Sequence, residues 1–355
     1  MNVMHVVLKP RYSGAEVLVR DLCLEQIKLG HKLAFVAMLP SEGSFEQELE
    51  RLEKAGTTNI IPDKTLSRLG RLNHIHKSIK LFEPDIVFAH SIIPAMYSRL
   101  ADLKGRRIIS VLHAATNNDY NNKIWVTTEK VLRHLSKGVI AVSEEGKNNY
   151  IKKFYCGKPV VTIRNGLDFS EAKRAASLRE NRIKRSLILQ VGRIAPVKGQ
   201  HNTIEAVAKL IKLHPNIKLK LAGLVEDFNY FCQLKAQVKS HGMEDSIEFI
   251  GPRSDIFDLL ADSDLYVMPS YAESQGIAML EALAVGVPVV ATEIDVFREF
   301  RKMAGVWLVG TGNSDALANA MESALKAQTT VYERDVSNFD IKRTATEYLD
   351  FLHAN

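Results

Sequence analysis

Short runs of apolar, often β-branched residues alternate with amphipathic stretches along the whole chain, and this alternation limits the possible folds more than any other feature. In the first half the runs are Val3 to Leu8, Lys32 to Ala37, Ile86 to Ala89, Ile108 to Leu112, Val139 to Val142 and Val160 to Ile163. In the second half they are Leu187 to Val191, Lys218 to Leu221, Ile247 to Ile250, Leu265 to Met268, Val287 to Ala291 and Val306 to Val309. Near-continuous apolar strands separated by helix-length segments predict parallel sheets with helical crossovers, because only a sheet covered on both faces hides such strands from water. The segment Ala15 to Leu29 reads as the first helix, ended by Gly30.

At 355 residues the chain exceeds what one core usually holds, so an α/β chain of two Rossmann-like halves is predicted. The stretch from Asp168 to Arg185 is polar and charged with no strand signal, and the boundary is expected there. The expected domains are 1–167 and 168–337, followed by a segment 338–355 in which Phe339 to Leu352 reads as helix. Open parallel sheets bind ligands beyond the carboxyl ends of their strands, so two such sheets facing each other would form a cleft for two substrates.

Residues 1–165 carry 25 Lys and Arg against 16 Asp and Glu, while residues 166–355 carry 22 against 25. The basic half suits an anionic membrane surface or a phosphorylated acceptor, and it suits an ordinary solvated face as well. Trp125, Lys130, Arg133 and Lys137 are expected along one helix of that half. No nucleic acid is expected as a partner, since no aromatic platform interleaves with the basic residues. Cys23, Cys156 and Cys232 lack metal or redox spacing and read as small buried or half-buried residues of a reducing compartment. No apolar signal-like run follows Met1 and no run of 18 apolar residues occurs, so a cytoplasmic chain is expected, with peripheral attachment to the inner face of the membrane.

From Ile277 to Val285 the only polar residue is Glu281. The segment reads as a helix apolar on all faces, stopped by Gly286 and Pro288 and set between two buried strands. A carboxylate there needs a partner, either the hydroxyls of a bound ligand or an Arg or Lys of a neighbouring element. Glu273 stands in the preceding loop, and Gly276 and Ile277 lie at the helix start, where backbone N–H groups attract anions. After the strand Leu187 to Val191 comes Gly192-Arg193-Ile-Ala-Pro-Val-Lys198-Gly199, opening a second helix. A guanidinium fork, a mobile ammonium and a helix N-terminus make a diphosphate seat, although the residues alone also fit a solvated loop.

The run Glu273-Ser-Gln-Gly-Ile-Ala-Met-Leu-Glu281, with Gly286 and Pro288 after it, resembles the Glu-x7-Glu signature of the retaining family 4 glycosyltransferases (glycosyl transferases group 1), which adopt the GT-B fold. Gly192 to Gly199 is similar to that family's Gly-Arg-x4-Lys-Gly motif. The resemblance implies that Glu281 binds the ribose hydroxyls of a nucleotide and Glu273 the hydroxyls of the donor sugar. It gives Arg193 and Lys198 the diphosphate. Gln275 stands where the family more often has an aromatic. Ser13-Gly14 resembles the family's Gly-Gly loop, with Gly14 offering a close backbone approach. His113, at the end of the strand Ile108 to Leu112, is similar to a family His that touches the donor sugar, with His90 as its competitor and a satisfied structural His as the plain alternative. Glu273 and His113 are the catalytic candidates on these grounds.

Arg253, in the loop Phe249 to Asp255, lies against the nucleotide base by the same resemblance, or stays solvated. Ser143-Glu144 and Arg164 to Asp168 resemble family landmarks bordering the cleft, and equally read as caps and turns. The pattern Asp262-Ser263-Asp264 is better explained by capping than by a metal, no His or Cys cluster has metal spacing, and no cofactor is called for. The expected function is transfer of a sugar from a nucleotide diphosphate donor, UDP-linked, to a glycan or lipid-linked saccharide acceptor in bacterial surface polysaccharide or lipopolysaccharide assembly. A UDP-sugar epimerase of the same architecture and a non-catalytic nucleotide-sugar-binding protein remain as alternatives. A dehydrogenase is weaker, since no Gly-x-Gly-x-x-Gly follows a strand.

Overall fold

The structure is a computed structural model that describes residues 1–41, 43, 45–103, 108–113, 123–155, 157–179, 185–327 and 331–351. Among these, β1 (Asn2–Val7), β2 (Lys32–Ala37), β3 (Thr58–Ile60), β4 (Ile86–His90), β5 (Ile108–Leu112), β6 (Gly138–Ala141) and β7 (Val160–Thr162) form one parallel sheet. Its spatial order is β3-β2-β1-β4-β5-β6-β7. A second parallel sheet holds β8 (Leu187–Val191), β9 (Lys218–Ala222), β10 (Ile247–Gly251), β11 (Leu265–Met268), β12 (Val289–Thr292) and β13 (Val306–Val309), in the order β10-β9-β8-β11-β12-β13. In each sheet the order reverses beside the first strand, which is the switch point where doubly wound folds bind ligands.

Both faces of each sheet are covered, as the apolar runs require. On one side of β1, Val3 and Val7 pack with Phe35, Phe88 and the helix Gly14–Lys28, while Met4 and Val6 turn to Val36, Val87 and Ile75 on the other. Contacts divide the chain into two compact units, Met1–Leu167 with Phe339–Asn355, and Asp168–Asn338. The helix Ile341–Asp350 lies in the first unit, where Ala345, Tyr348 and Leu349 join the core beside the helix Gly14–Lys28. Asp340 caps it by accepting from the Lys342 N–H at 2.9 Å. Leu352, part of the expected helix, lies outside the described residues.

Several expectations need correction. β3 was not expected, because Thr58-Asn59-Ile60 has no apolar run and pairs only at the sheet edge, with β2. β12 starts at Val289 because the Val287 N–H is spent on Ala282 O at the end of the preceding helix. Trp125, Lys130, Arg133 and Lys137 do not share one helix: it ends at Leu132, Arg133 turns back to donate to Phe154 O at 2.7 Å, and Lys137 leads into β6. Cys23 is buried, but Cys232 on the helix Phe228–Ser240 is exposed, and Cys156 lies outside the described residues. Among the described residues no helix is long and apolar enough to cross a membrane.

Candidate functional site

In the second unit the loop from Gly192 to Gly199 is held by amides on both sides. Gln190, the one polar residue of β8, donates to Lys198 O at 2.9 Å and accepts from the Thr203 hydroxyl at 2.8 Å. Gln200, at the start of the helix Gln200–Leu210, donates to Arg193 O at 2.8 Å. Gly199 sits at φ +66°, and a Cβ there would stand 2.2 Å from Pro269 O, so this loop touches the loop after β11 backbone to backbone. The Tyr271 N–H donates to Val197 O at 2.8 Å and closes the same seam.

Across the seam, Lys198 Nζ lies 2.6 Å from Glu273 Oε1, which also accepts from the Ser270 hydroxyl at 2.7 Å. The side chains of Lys198 and Glu273 are only 15% and 9% exposed, so each charge relies on the other. Tyr266 lies beneath: burial, then the nearby Glu281 and Glu273 carboxylates, hold its hydroxyl well above the usual range. That electrostatic coupling puts both acids around one phenol.

Glu281 occupies the helix Ile277–Val285, whose Met279, Leu280, Ala282, Leu283 and Val285 are buried. Ile277, Ala278, Glu281 and Ala284 are half-buried and recur at helical spacing. The helix is therefore not enclosed on all sides as the composition predicts; it keeps one open stripe, and Glu281 lies on it. Gly276 caps the helix at φ +75°, where a Cβ would meet the Phe297 ring at 2.4 Å. With no side-chain cap at Gly276, the Ile277 and Ala278 N–H groups remain for an anion, while those of Met279 and Leu280 are spent on Gly276 O.

Arg193 Nη1 lies 2.5 Å from Glu226 Oε2, both about half exposed. Glu226 also lines a shallow groove with Ala195, Pro196, Asp227, Phe228 and Asn229. Arg253 forks onto both oxygens of Asp255, at 2.8 and 2.6 Å, and keeps Asp255 below the usual carboxylate range. Asp264 is not a simple cap: it accepts from the Arg185 and Leu187 N–H groups at 2.9 and 2.8 Å and ties the start of β8 to β11. Among the described residues no group of three His, Cys, Asp or Glu could hold a metal.

In the first unit Gly14 opens the helix Gly14–Lys28 after Ser13, whose hydroxyl donates to the buried Glu16. Burial, countered by Ser13 and Arg11, raises Glu16 above the usual carboxylate range. His113 is half-buried just past β5, and its Nε2 lies 2.9 Å from His90 Nδ1. His90 is thus not a competitor for the open position; it is 2% exposed and stands behind His113 as its partner. Ser143 caps the helix Glu144–Phe154 by accepting from the Gly146 N–H at 3.2 Å, and Arg164 covers the Phe339 ring at 5.4 Å.

The family profile described as Glycosyltransferase Family 4 matches residues 12–171, and that of Glycosyl transferases group 1 matches residues 173–338. The chain belongs to the family 4 glycosyltransferases. The glycogen synthase of Mycobacterium tuberculosis (strain ATCC 25618 / H37Rv) is 27% identical to it over 318 residues, 82% of this chain and 73% of that one. The UDP-Gal:alpha-D-GlcNAc-diphosphoundecaprenol alpha-1,3-galactosyltransferase of Escherichia coli is 26% identical over 330 residues, 83% and 80% of the two chains. The crystal structure of Anabaena HepE in complex with UDP and glucose matches the whole of both chains at 22% identity with a TM-score of 0.81, and this glycosyltransferase has the same GT-B fold. Sequence reasoning missed Gln190, Glu226 and His5. A lone polar residue inside an apolar strand was a usable signal for Gln190 and equally for His5, while Glu226 becomes visible only through its contact with Arg193.

Proposed function

We propose that this glycosyltransferase is a retaining, metal-independent enzyme that moves a sugar from a UDP-linked donor to a glycan or lipid-linked saccharide acceptor in bacterial surface polysaccharide or lipopolysaccharide assembly. The observation that carries the reading is the Lys198–Glu273 contact at 2.6 Å, flanked by Arg193 and by the open stripe of the Glu281 helix. In this reading the donor diphosphate draws Lys198 from Glu273 and Arg193 from Glu226, and the freed Glu273 takes up hydroxyls of the sugar. Glu281 holds the ribose, Gly276 and Ile277 lend N–H groups, and Arg253 lies against the base. Stabilisation of the departing diphosphate lowers the barrier, with positive charge supplied by the two side chains and the helix terminus. The named galactosyltransferase and the UDP complex of HepE support a UDP-linked donor. The basic balance of residues 1–165 supports attachment to an anionic membrane surface, where a lipid-linked acceptor resides.

The test is a panel of UDP-, ADP- and GDP-sugars, incubated with and without saccharide acceptors in the presence of EDTA. UDP release and an anomeric configuration equal to that of the donor are expected. Isomerised nucleotide sugar without acceptor would indicate an epimerase, and binding without turnover a non-catalytic protein. Activity that vanishes in EDTA and returns with magnesium or manganese would refute the metal-independent mechanism.

A further inference from the structure

A row of hydrogen-bonded side chains crosses three neighbouring strands of the first unit. Gln26 Oε1 lies 2.9 Å from His5 Nε2, His5 Nδ1 lies 2.9 Å from His90 Nε2, and His90 Nδ1 lies 2.9 Å from His113 Nε2. His5 comes from β1, His90 from the end of β4 and His113 from the residue after β5, and these strands are adjacent in the sheet. The rings stack with centroids 5.2 Å apart at both steps. Phe88 lies against His5, and Tyr348 of the helix Ile341–Asp350 covers His90 at an interplanar angle of 11°. Gln26, His5 and His90 are all buried.

Burial lowers His5 and His113 to about 4 and holds His90 well below its ordinary value, where the neighbouring rings add to the effect. At neutral pH each ring therefore carries one N–H and one lone pair. Where two ring nitrogens meet, one must donate and the other accept, so the three rings share a single sense. A carbonyl oxygen only accepts. With Gln26 Oε1 turned towards it, His5 Nε2 donates and His5 Nδ1 accepts from His90 Nε2. His90 Nδ1 in turn accepts from His113 Nε2. The opposite turn of this amide, with its NH2 towards His5, would reverse all three rings.

We propose that Gln26, His5 and His90 are positioning residues that fix His113 as its Nε2–H tautomer and leave its Nδ1 as a hydrogen-bond acceptor. An amide oxygen takes up no proton at neutral pH, so a proton entering at His113 finds no exit beyond His5. The row is a tautomer clamp and not a conducting path. What Nδ1 accepts rests on the proposed function: it is a hydroxyl of a saccharide substrate.

Long-range 1H–15N correlation spectra of the ligand-free, labelled protein at neutral pH read the tautomers directly, with His113 assigned by its loss in His113→Gln. All three rings are expected to be protonated on Nε2. Gln26→Met removes the accepting oxygen at similar volume, and it forfeits nothing else, because Gln26 Nε2 has no partner among the described residues. An orphaned buried N–H is less tolerated than an orphaned lone pair, so the His5 proton shifts to Nδ1 and the reversal passes to His113. His5→Phe cuts the row one ring further along and is expected to give the same reversal. Wild-type His113 protonated on Nδ1, or an unreversed His113 in either folded variant, overturns the proposal. In a second arm both variants keep wild-type affinity for UDP and lose turnover of the UDP-sugar about tenfold, the worth of one hydrogen bond. Wild-type affinity with wild-type turnover in a reversed variant also overturns it. If the wild-type protein binds no UDP while the tautomers behave as stated, the functional reading fails and the clamp stands.

Discussion

Burying a carboxylate among apolar side chains costs several kcal/mol, and Glu281 escapes most of that cost by standing on the half-buried stripe of its helix. If that stripe holds a ribose, the charge of Glu281 serves the ligand more than the fold. Glu281→Gln is then expected to leave the melting temperature of the ligand-free protein unchanged or raised. UDP affinity should fall by roughly 1.5 to 3 kcal/mol as charged hydrogen bonds are lost, a factor of about ten to a hundred. Thermal unfolding and calorimetric titration of this one variant separate the two roles. A clearly destabilised protein with wild-type UDP affinity would show instead that Glu281 serves the structure. Lys198 and Glu273 differ in kind: they neutralise each other at low exposure, so removing either leaves a buried charge behind and confuses stability with binding.

The loops that carry these residues are held in register by a backbone contact, and glycine substitution exposes it. Gly199 and Gly242 have nearly the same φ, +66° and +65°, but a Cβ at Gly199 would strike Pro269 O, whereas one at Gly242 would meet nothing within 4 Å. Gly242→Ala should cost only the left-handed strain, about 1 kcal/mol, and Gly199→Ala that strain plus displacement of a carbonyl, about 2 to 4 kcal/mol in all. Urea unfolding followed at Trp307 in β13 measures both, and equal costs would mean that the two loops do not depend on this contact. The parallel sheets were legible because buried strands such as Leu265–Met268 are apolar on both faces. The edge strand Thr58–Ile60 was not, having only one neighbour and no need of apolar residues. Within the site, the acids and bases stood out by charge in apolar surroundings. The histidine row did not, because it depends on β1, β4 and β5 lying side by side, an order that becomes visible only once the chain is folded.

At the scale of the molecule, the two units have separate cores and are expected to differ in their sensitivity to acid. The histidine row lies wholly in the first. His5 has a folded pKa of about 4 against an ordinary 6.5, so its contribution is fully present above pH 6.5 and is lost as pH falls towards 4, because the unfolded chain takes up the proton first. For this one buried residue the loss is on the order of 2 to 3 kcal/mol by pH 4.5, and His90 adds to it in the same direction. Glu16, with its raised pKa, opposes the trend because the folded state holds that proton more tightly. The chain carries two tryptophans, Trp125 packed against the small first-unit cluster around Leu112 and Trp307 against the second-unit core, so each unit has its own fluorescent reporter. Urea transitions read separately, with the other tryptophan replaced by Phe, should keep their order at pH 7. As pH falls from 6.5 to 4.5, the Trp125 midpoint should drop well below its neutral value while the Trp307 midpoint moves less. His5→Phe removes one of the two titrations on the row, His5 and His113, that are lowered to about 4, and it should shrink the Trp125 shift by the amount calculated for His5. A Trp125 midpoint that falls equally in wild type and His5→Phe would show that the acid sensitivity of the first unit has another source.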